Sequence, residues 1–200
     1  MASIAQIVTC TEAEGPGRRF AIWFQGCPLR CPGCCNPEML PFDDSISLPV
    51  DEVVNQIRST KDIEGISLLG GEPFAHVPAA IAIARATRQL ELSVMIYSGF
   101  TLVELQARTV TAELLSLTDI LVDGPYIREQ PERQRRWVGS TNQVIHFLSN
   151  RYRADDPIWR KPNTMEIRLQ NGELTVNGFP SSSTIGFWRR TPRALEVVHG

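Results

Sequence analysis

Apolar residues fall into short runs along this chain. Arg19 to Gln25 (Arg-Phe-Ala-Ile-Trp-Phe-Gln) is largely apolar and stops at Gly26, which predicts a buried strand. Gly65 to Leu69 predicts a second strand, Leu92 to Tyr97 a third, Asp119 to Val122 a fourth and Gln143 to Leu148 a fifth. Helical spacing lies between them. Ser47 to Thr60 puts Leu48, Val53, Val54 and Ile57 inward, and Pro49, Asp51 and Glu52 suit a first helical turn. Val77 to Leu90 reads as an Ala/Ile-rich helix, and Leu102 to Arg108 and Ala112 to Leu117 as shorter ones. Strands alternating with helices predict parallel βαβ units. A complete eightfold barrel takes about 250 residues, and this chain has 200. The expectation is therefore an α/β fold built as a partial, open (β/α) barrel.

Past residue 150 the pattern changes. Thr164 to Val176 alternates around Asn171-Gly172, a strong hairpin signal. Ser181 to Thr184 reads as a polar linker, and Arg189, Arg190 and Arg193 make the end basic. Residues 1–150 thus form the expected main domain, and residues 151–200 a hairpin appendage with a loose tail.

Composition narrows the function classes. Apolar residues are 42% and charged residues 21%, ordinary for a globular chain. Lys+Arg number 20 against 22 Asp+Glu, so no overall basic field argues for nucleic acid or an anionic membrane. The longest apolar run, Ala79 to Ala84, is far shorter than the roughly 20 residues a spanning helix needs. The first residues also lack a signal peptide's charged start and apolar stretch, so a cytoplasmic protein is expected.

The cysteines carry the most chemistry. Of the five, Cys27, Cys31, Cys34 and Cys35 crowd into one short loop, while Cys10 stands apart as a core or strand thiol. An odd total, with four of the five crowded into one loop, argues against a disulfide framework. Gathered thiolates suit zinc or an iron–sulfur cluster. Structural zinc commonly takes a second C-x-x-C pair or two histidines; no second pair exists, and His76, His146 and His199 are scattered. A [4Fe–4S] cluster on three cysteines would leave one iron open to a ligand. Cys35 is a poor companion to Cys34, because adjacent side chains in an extended loop point opposite ways. An open cluster is the favoured reading, with zinc or an inert turn as alternatives. Pro28, Pro32 and Gly33 suit a loop wrapped round a cluster, and also suit a plain surface turn. The cysteine loop and Gly70-Gly71-Glu72-Pro73 both follow strand ends, where ligands gather in such folds. Asp123 reads as a ligand contact or a turn cap, His146 as a core histidine, Asn142-Gln143 as a loop, and the arginine-rich segment 128–136 as a solvated face.

C-x-x-x-C-x-x-C after a first strand and Gly-Gly-Glu-Pro after a second resemble the radical S-adenosylmethionine superfamily. Gly15-Pro-Gly-Arg18, Gly26-Cys-Pro-Leu-Arg-Cys-Pro-Gly-Cys34, Asn36-Pro-Glu38, Leu121-Val-Asp-Gly124 and Gly139-Ser-Thr-Asn-Gln-Val144 extend the likeness. Together, over about residues 5 to 150, they resemble the activating proteins of anaerobic (class III) ribonucleotide reductase. The resemblance implies that Cys27, Cys31 and Cys34 ligate a [4Fe–4S] cluster and that S-adenosylmethionine chelates the fourth iron. It implies that Gly70, Gly71 and Glu72 line the methionine part, with Gly33 and Cys35 near the adenine. The implied reaction is reductive cleavage to a 5′-deoxyadenosyl radical that installs a glycyl radical on a partner enzyme, with flavodoxin or ferredoxin as electron donor. This chain has Cys35 where the family commonly has an aromatic residue. A stand-alone radical enzyme acting on a small molecule or peptide, and a non-catalytic zinc or iron–sulfur module, are the other expectations.

Overall fold

The expected apolar runs become strands of one mixed sheet. The structure, a computed structural model, describes residues 1–43, 47–170 and 173–179. Among these, β1 (Ala2–Thr11), β2 (Arg19–Phe24), β3 (Ser47–Leu48), β4 (Gly65–Gly70), β5 (Ser93–Tyr97), β6 (Ile120–Asp123) and β7 (Val144–Phe147) lie in the order β3-β1-β2-β4-β5-β6-β7. The four central strands, β2, β4, β5 and β6, run parallel. Helix α1 (Val50–Ser59) joins the N-terminal strands to β4, and α2 (Val77–Gln89) joins β4 to β5. Helices α3 (Leu102–Gln106) and α4 (Ala112–Leu117) join β5 to β6. The βαβ rhythm read from the sequence therefore holds for the centre of the sheet.

It fails at the edges. β1 and β7 are antiparallel to their neighbours β2 and β6. Among the described residues, 124–143 contain no helix. A parallel return needs a crossover, usually helical, so a chain without one comes back antiparallel. β1 was not legible because its pairing with β2 shifts register between Ile4 and Gln6 and again between Val8 and Thr11, which breaks the period-two alternation. Ser47 and Leu48 are not helical: they pair with Ser3 and Ala2, and α1 begins only at Val50.

The central strands are buried on both faces. Phe20, Ile22 and Phe24, with Ile66, Leu68, Val94, Ile96 and Leu121, meet Val53 and Ile57 of α1, Ala80 and Ile83 of α2, and Leu105 and Leu114. Each such large side chain contributes roughly 1.5–3 kcal/mol on burial. The alternate residues Met95, Ile120 and Val122 face Trp137, Val138 and Trp159, which no helix of the sheet supplies. Tyr152 and Ile158 also pack in that cluster, so the chain after residue 150 begins by covering the sheet.

The expected hairpin forms as β8 (Met165–Gln170) and β9 (Glu173–Gly178), antiparallel and in register from Met165–Gly178 to Gln170–Glu173. Asn171-Gly172, Ser181 to Thr184 and Arg189, Arg190 and Arg193 lie outside the described residues. Among the described residues no helix is long and apolar enough to cross a membrane.

Candidate functional site

The cysteine loop begins where β2 ends, and its two ends are tied together. Gly26 N donates to Met39 O at 2.9 Å and Cys27 N to Leu40 O at 3.0 Å. The buried Gln25 side chain donates through Nε2 to Pro41 O at 2.7 Å and Glu38 O at 3.1 Å. The loop is thus a closed lobe standing on the strand end. Inside it Cys34 N donates to Cys31 O at 3.1 Å, with Gly33 at φ +71°, and Asn36 N donates to Cys34 Sγ at 3.4 Å. Burial pushes the Cys27 and Cys34 thiols up. A thiol raised in this way is a weak free nucleophile, whereas a bound metal deprotonates it outright.

The Gly-Gly-Glu turn lies against this lobe at the end of β4. A Cβ on Gly71 would sit 2.4 Å from Gly26 O, and one on Gly70 (φ +98°) would sit 2.6 Å from Phe24 N. The two glycines therefore let two strand ends touch: Gly71 N donates to Phe24 O at 2.8 Å and Glu72 N to Gly26 O at 3.0 Å. Glu72 is buried. Its carboxylate accepts from Phe74 N at 3.0 Å, Ser98 Oγ at 3.0 Å and Gly99 N at 2.8 Å, joining the turn after β4 to the turn after β5. Burial pushes its pKa up to about 7, against the pull of these hydrogen bonds.

Between these elements lies a pocket of about 820 Å³, open mouth included. Cys27, Cys31, Cys34, Cys35, Gly70, Gly71 and Glu72 all line it, so the two motifs meet on one wall system. Gly33 is not among the lining residues; a Cβ there would meet the Arg128 side chain at 2.9 Å. The remaining wall includes Tyr97, Ser98 and Gly99 after β5, Gly124 and Tyr126 after β6, and Gly139 and Gln143. Sequence reasoning gave Tyr97, Ser98, Gly99 and Tyr126 no role, although the rule that ligands gather at strand ends pointed to them; it met Gly124 and Gly139 only within family motifs and read Gln143 as part of a loop. Phe179, also on the wall, carried no sequence signal at all.

The other candidates have structural partners. Asp123 accepts from Leu102 N at 2.5 Å, which fixes the start of α3, and lies 3.0 Å from His146 Nε2. Gln143 accepts from Gly139 N and Ser140 N, both at 3.1 Å, and donates to Gly124 O at 3.0 Å. Asn142 Nδ2 donates to Pro125 O at 2.8 Å. In the arginine-rich segment, Arg135 Nη1 donates to Gln143 O at 2.6 Å, and the Arg136 guanidinium lies 4.2 Å from the centre of a Trp137 ring. Cys10 is a half-buried residue of β1, as a strand thiol should be.

The donor set fits an iron–sulfur group: three soft sulfurs on one lobe, facing a pocket. Comparison with known proteins points the same way. A family model described as a 4Fe-4S single cluster domain matches residues 13–146. The anaerobic ribonucleoside-triphosphate reductase-activating protein of Escherichia coli (strain K12) is 30% identical over 146 residues, covering 68% of this chain and 92% of that protein. The protein of the same name from Vibrio cholerae is 31% identical over 141 residues, covering 66% and 90%. That of Enterobacteria phage T4 is 25% identical over 162 residues, covering 78% and 96%. Motif order, pocket and matches agree: the chain belongs to the family of anaerobic ribonucleoside-triphosphate reductase-activating proteins.

Proposed function

We propose that this chain is a radical S-adenosylmethionine activase whose [4Fe–4S] cluster is held by Cys27, Cys31 and Cys34. The carrying observation is that the three cysteines and the Gly70-Gly71-Glu72 turn, distant in sequence, line one pocket. In this reading the four parallel strands and their helices are a partial barrel of the radical S-adenosylmethionine type, residues 1–150, with residues 151–200 as its appendage. When bound, the cluster supplies the electron that cleaves the sulfonium carbon–sulfur bond, giving methionine and a 5′-deoxyadenosyl radical. The rest is the protein's work. The Gly70-Gly71 backbone and Glu72 would hold the methionine part, with Cys35 beside the adenine, whereas Gly33, which does not line the pocket, would shape the loop rather than touch the ligand. Glu72 itself is anchored by Phe74, Ser98 and Gly99, so it positions the turn on which the ligand rests.

The partner would be an anaerobic ribonucleoside-triphosphate reductase, the enzyme that the relatives' names say those proteins activate, and the activation would be the installation of a glycyl radical on it. Flavodoxin or ferredoxin would supply the electron.

The test is anaerobic. The chain is reconstituted with iron and sulfide, reduced and given S-adenosylmethionine, and 5′-deoxyadenosine is quantified beside a Cys31→Ala variant. Product from the wild type alone supports the reading. No product from a chain with a full, reducible cluster would sink it.

A further inference from the structure

The pocket has a wall that the family match does not reach. The match ends at residue 146, whereas Phe179, directly after β9, lines the pocket together with Tyr97. The two rings lie 6.0 Å apart between centroids and are tilted by 36°. Phe179 also packs into the cluster of Met95, Ile120 and Val122 on the sheet face away from the helices.

Phe179 is held there by the docking of the whole hairpin. Gly178 N donates to the buried Glu14 carboxylate at 2.6 Å, and Asn177 Nδ2 donates to Thr11 Oγ1 at 2.9 Å. Glu12 N donates to Glu166 at 2.9 Å, and Phe179 N to Thr164 O at 3.2 Å. Arg168 reaches Cys10 O. Gly178 is required by contact: at φ +106°, a Cβ would sit 2.3 Å from Thr164 O and 2.9 Å from that of Ala13. These bonds fasten the C-terminal appendage to residues 10–14, and the Phe179 ring that follows lines the pocket beside Tyr97.

We propose that the C-terminal hairpin is part of the ligand site, with Phe179 an aromatic wall against the nucleoside half of the bound sulfonium cofactor. This rests on the function proposed above. With the amino-carboxylate end at the cysteine lobe and the Gly-Gly-Glu turn and Cys35 on one side of the nucleoside half, its other side would face the rest of the pocket. There Tyr97, Tyr126 and Phe179 supply the aromatic surface on which a nucleoside packs. The appendage then does more than cover the sheet, because its docking and pocket occupancy favour each other, as linkage requires.

The test uses the reconstituted full chain and S-adenosylhomocysteine, which lacks the sulfonium and so reports binding without turnover. Two readouts are taken. Hydrogen–deuterium exchange of peptides covering Met165–Phe179 is expected to slow when S-adenosylhomocysteine is added. Its Kd is expected to rise about 5- to 10-fold in Phe179→Ala, the scale of one aromatic contact. Phe179→Tyr should stay within about twofold, since it keeps the ring. Cluster iron content and absorbance show that each variant is folded and loaded. Unchanged exchange in the wild type, or wild-type affinity in Phe179→Ala, would overturn the assignment of Phe179 while leaving the activase reading intact. A loaded wild type that binds no S-adenosylhomocysteine would overturn the activase reading and this inference with it.

Discussion

The two faces of the central sheet are built from alternate residues of the same strands, yet they are different materials. The helix-covered face is hydrocarbon: Phe20, Ile22, Ile66, Leu68, Val94 and Ile96 are fully buried against helices. The opposite face mixes aromatic side chains with buried polar groups. The fully buried Arg19 donates through Nε to Ser67 Oγ at 3.2 Å and through Nη1 to Ser93 Oγ at 2.5 Å and Tyr152 OH at 3.3 Å. Ser67 donates in turn to Glu14 O at 2.6 Å. Burial pulls the Arg19 guanidinium below its usual range and pushes the Glu14 carboxyl up to about 8. One face is stabilised mainly by apolar burial. The other leads from this polar layer through Tyr97 to the pocket, and depends on each donor finding its acceptor. A fold can hold a reactive site when one side of its sheet supplies stability and the other carries polar chemistry.

Substitutions should separate the two faces. The largest stability effect belongs to the hydrocarbon side: Phe20→Ala is expected to cost about 3–5 kcal/mol in chemical denaturation. A loss under about 1 kcal/mol would show that the helices do not seal that face.

The next effect is a pH dependence on the polar side. The folded-state pKa of Glu14, about 8, lies above its ordinary value of 4.5, so the folded chain binds the extra proton between those limits. Its contribution is fully present below pH 4.5 and is lost as pH rises toward 8. Stability should fall by on the order of 3 kcal/mol from pH 5 to pH 8, and Glu14→Gln should flatten that slope. A slope identical in both proteins would mean that the carboxyl is not buried as described.

Ser67→Ala is expected to cost about 1–3 kcal/mol, because it strands one acceptor and one donor in the interior. Thr101→Ala on the helical side removes a capping box, in which Thr101 accepts from Glu104 N at 3.3 Å and Glu104 from Thr101 N at 2.7 Å. That change should cost about 1 kcal/mol. The smallest effect belongs to the exposed Arg85–Glu113 pair, where Arg85→Ala should stay within about 0.5 kcal/mol in the same denaturation series.

Much of the helical side was legible because period alone reveals it. The apolar runs of β2, β4, β5 and β6 and the inward stripes of α1 and α2 are statements about which residues avoid water. The candidate site stood out for another reason: Cys27, Cys31, Cys34 and Gly70-Gly71-Glu72 are chemically unusual at close spacing, and they line one pocket. The sequence did not reveal that Gly70 and Gly71 are needed as much for contact with Phe24 and Gly26 as for any ligand. It also did not reveal that Asp123 caps α3, or that β7 runs backwards.

What the sequence by itself determined was local and compositional: the strands and helices of the sheet's centre, the cysteine lobe, and the family motifs in their order. What only the tertiary structure decided was every relation that depends on partners far along the chain. Glu14 meets Gly178, Arg19 meets Tyr152, and Tyr97 meets Phe179 across more than eighty residues each. Hydrophobic period records how a residue relates to water, and motif spacing records how neighbours share a loop. Neither records which distant segment will cover a buried polar group, because that choice is made only when the whole chain has closed around it.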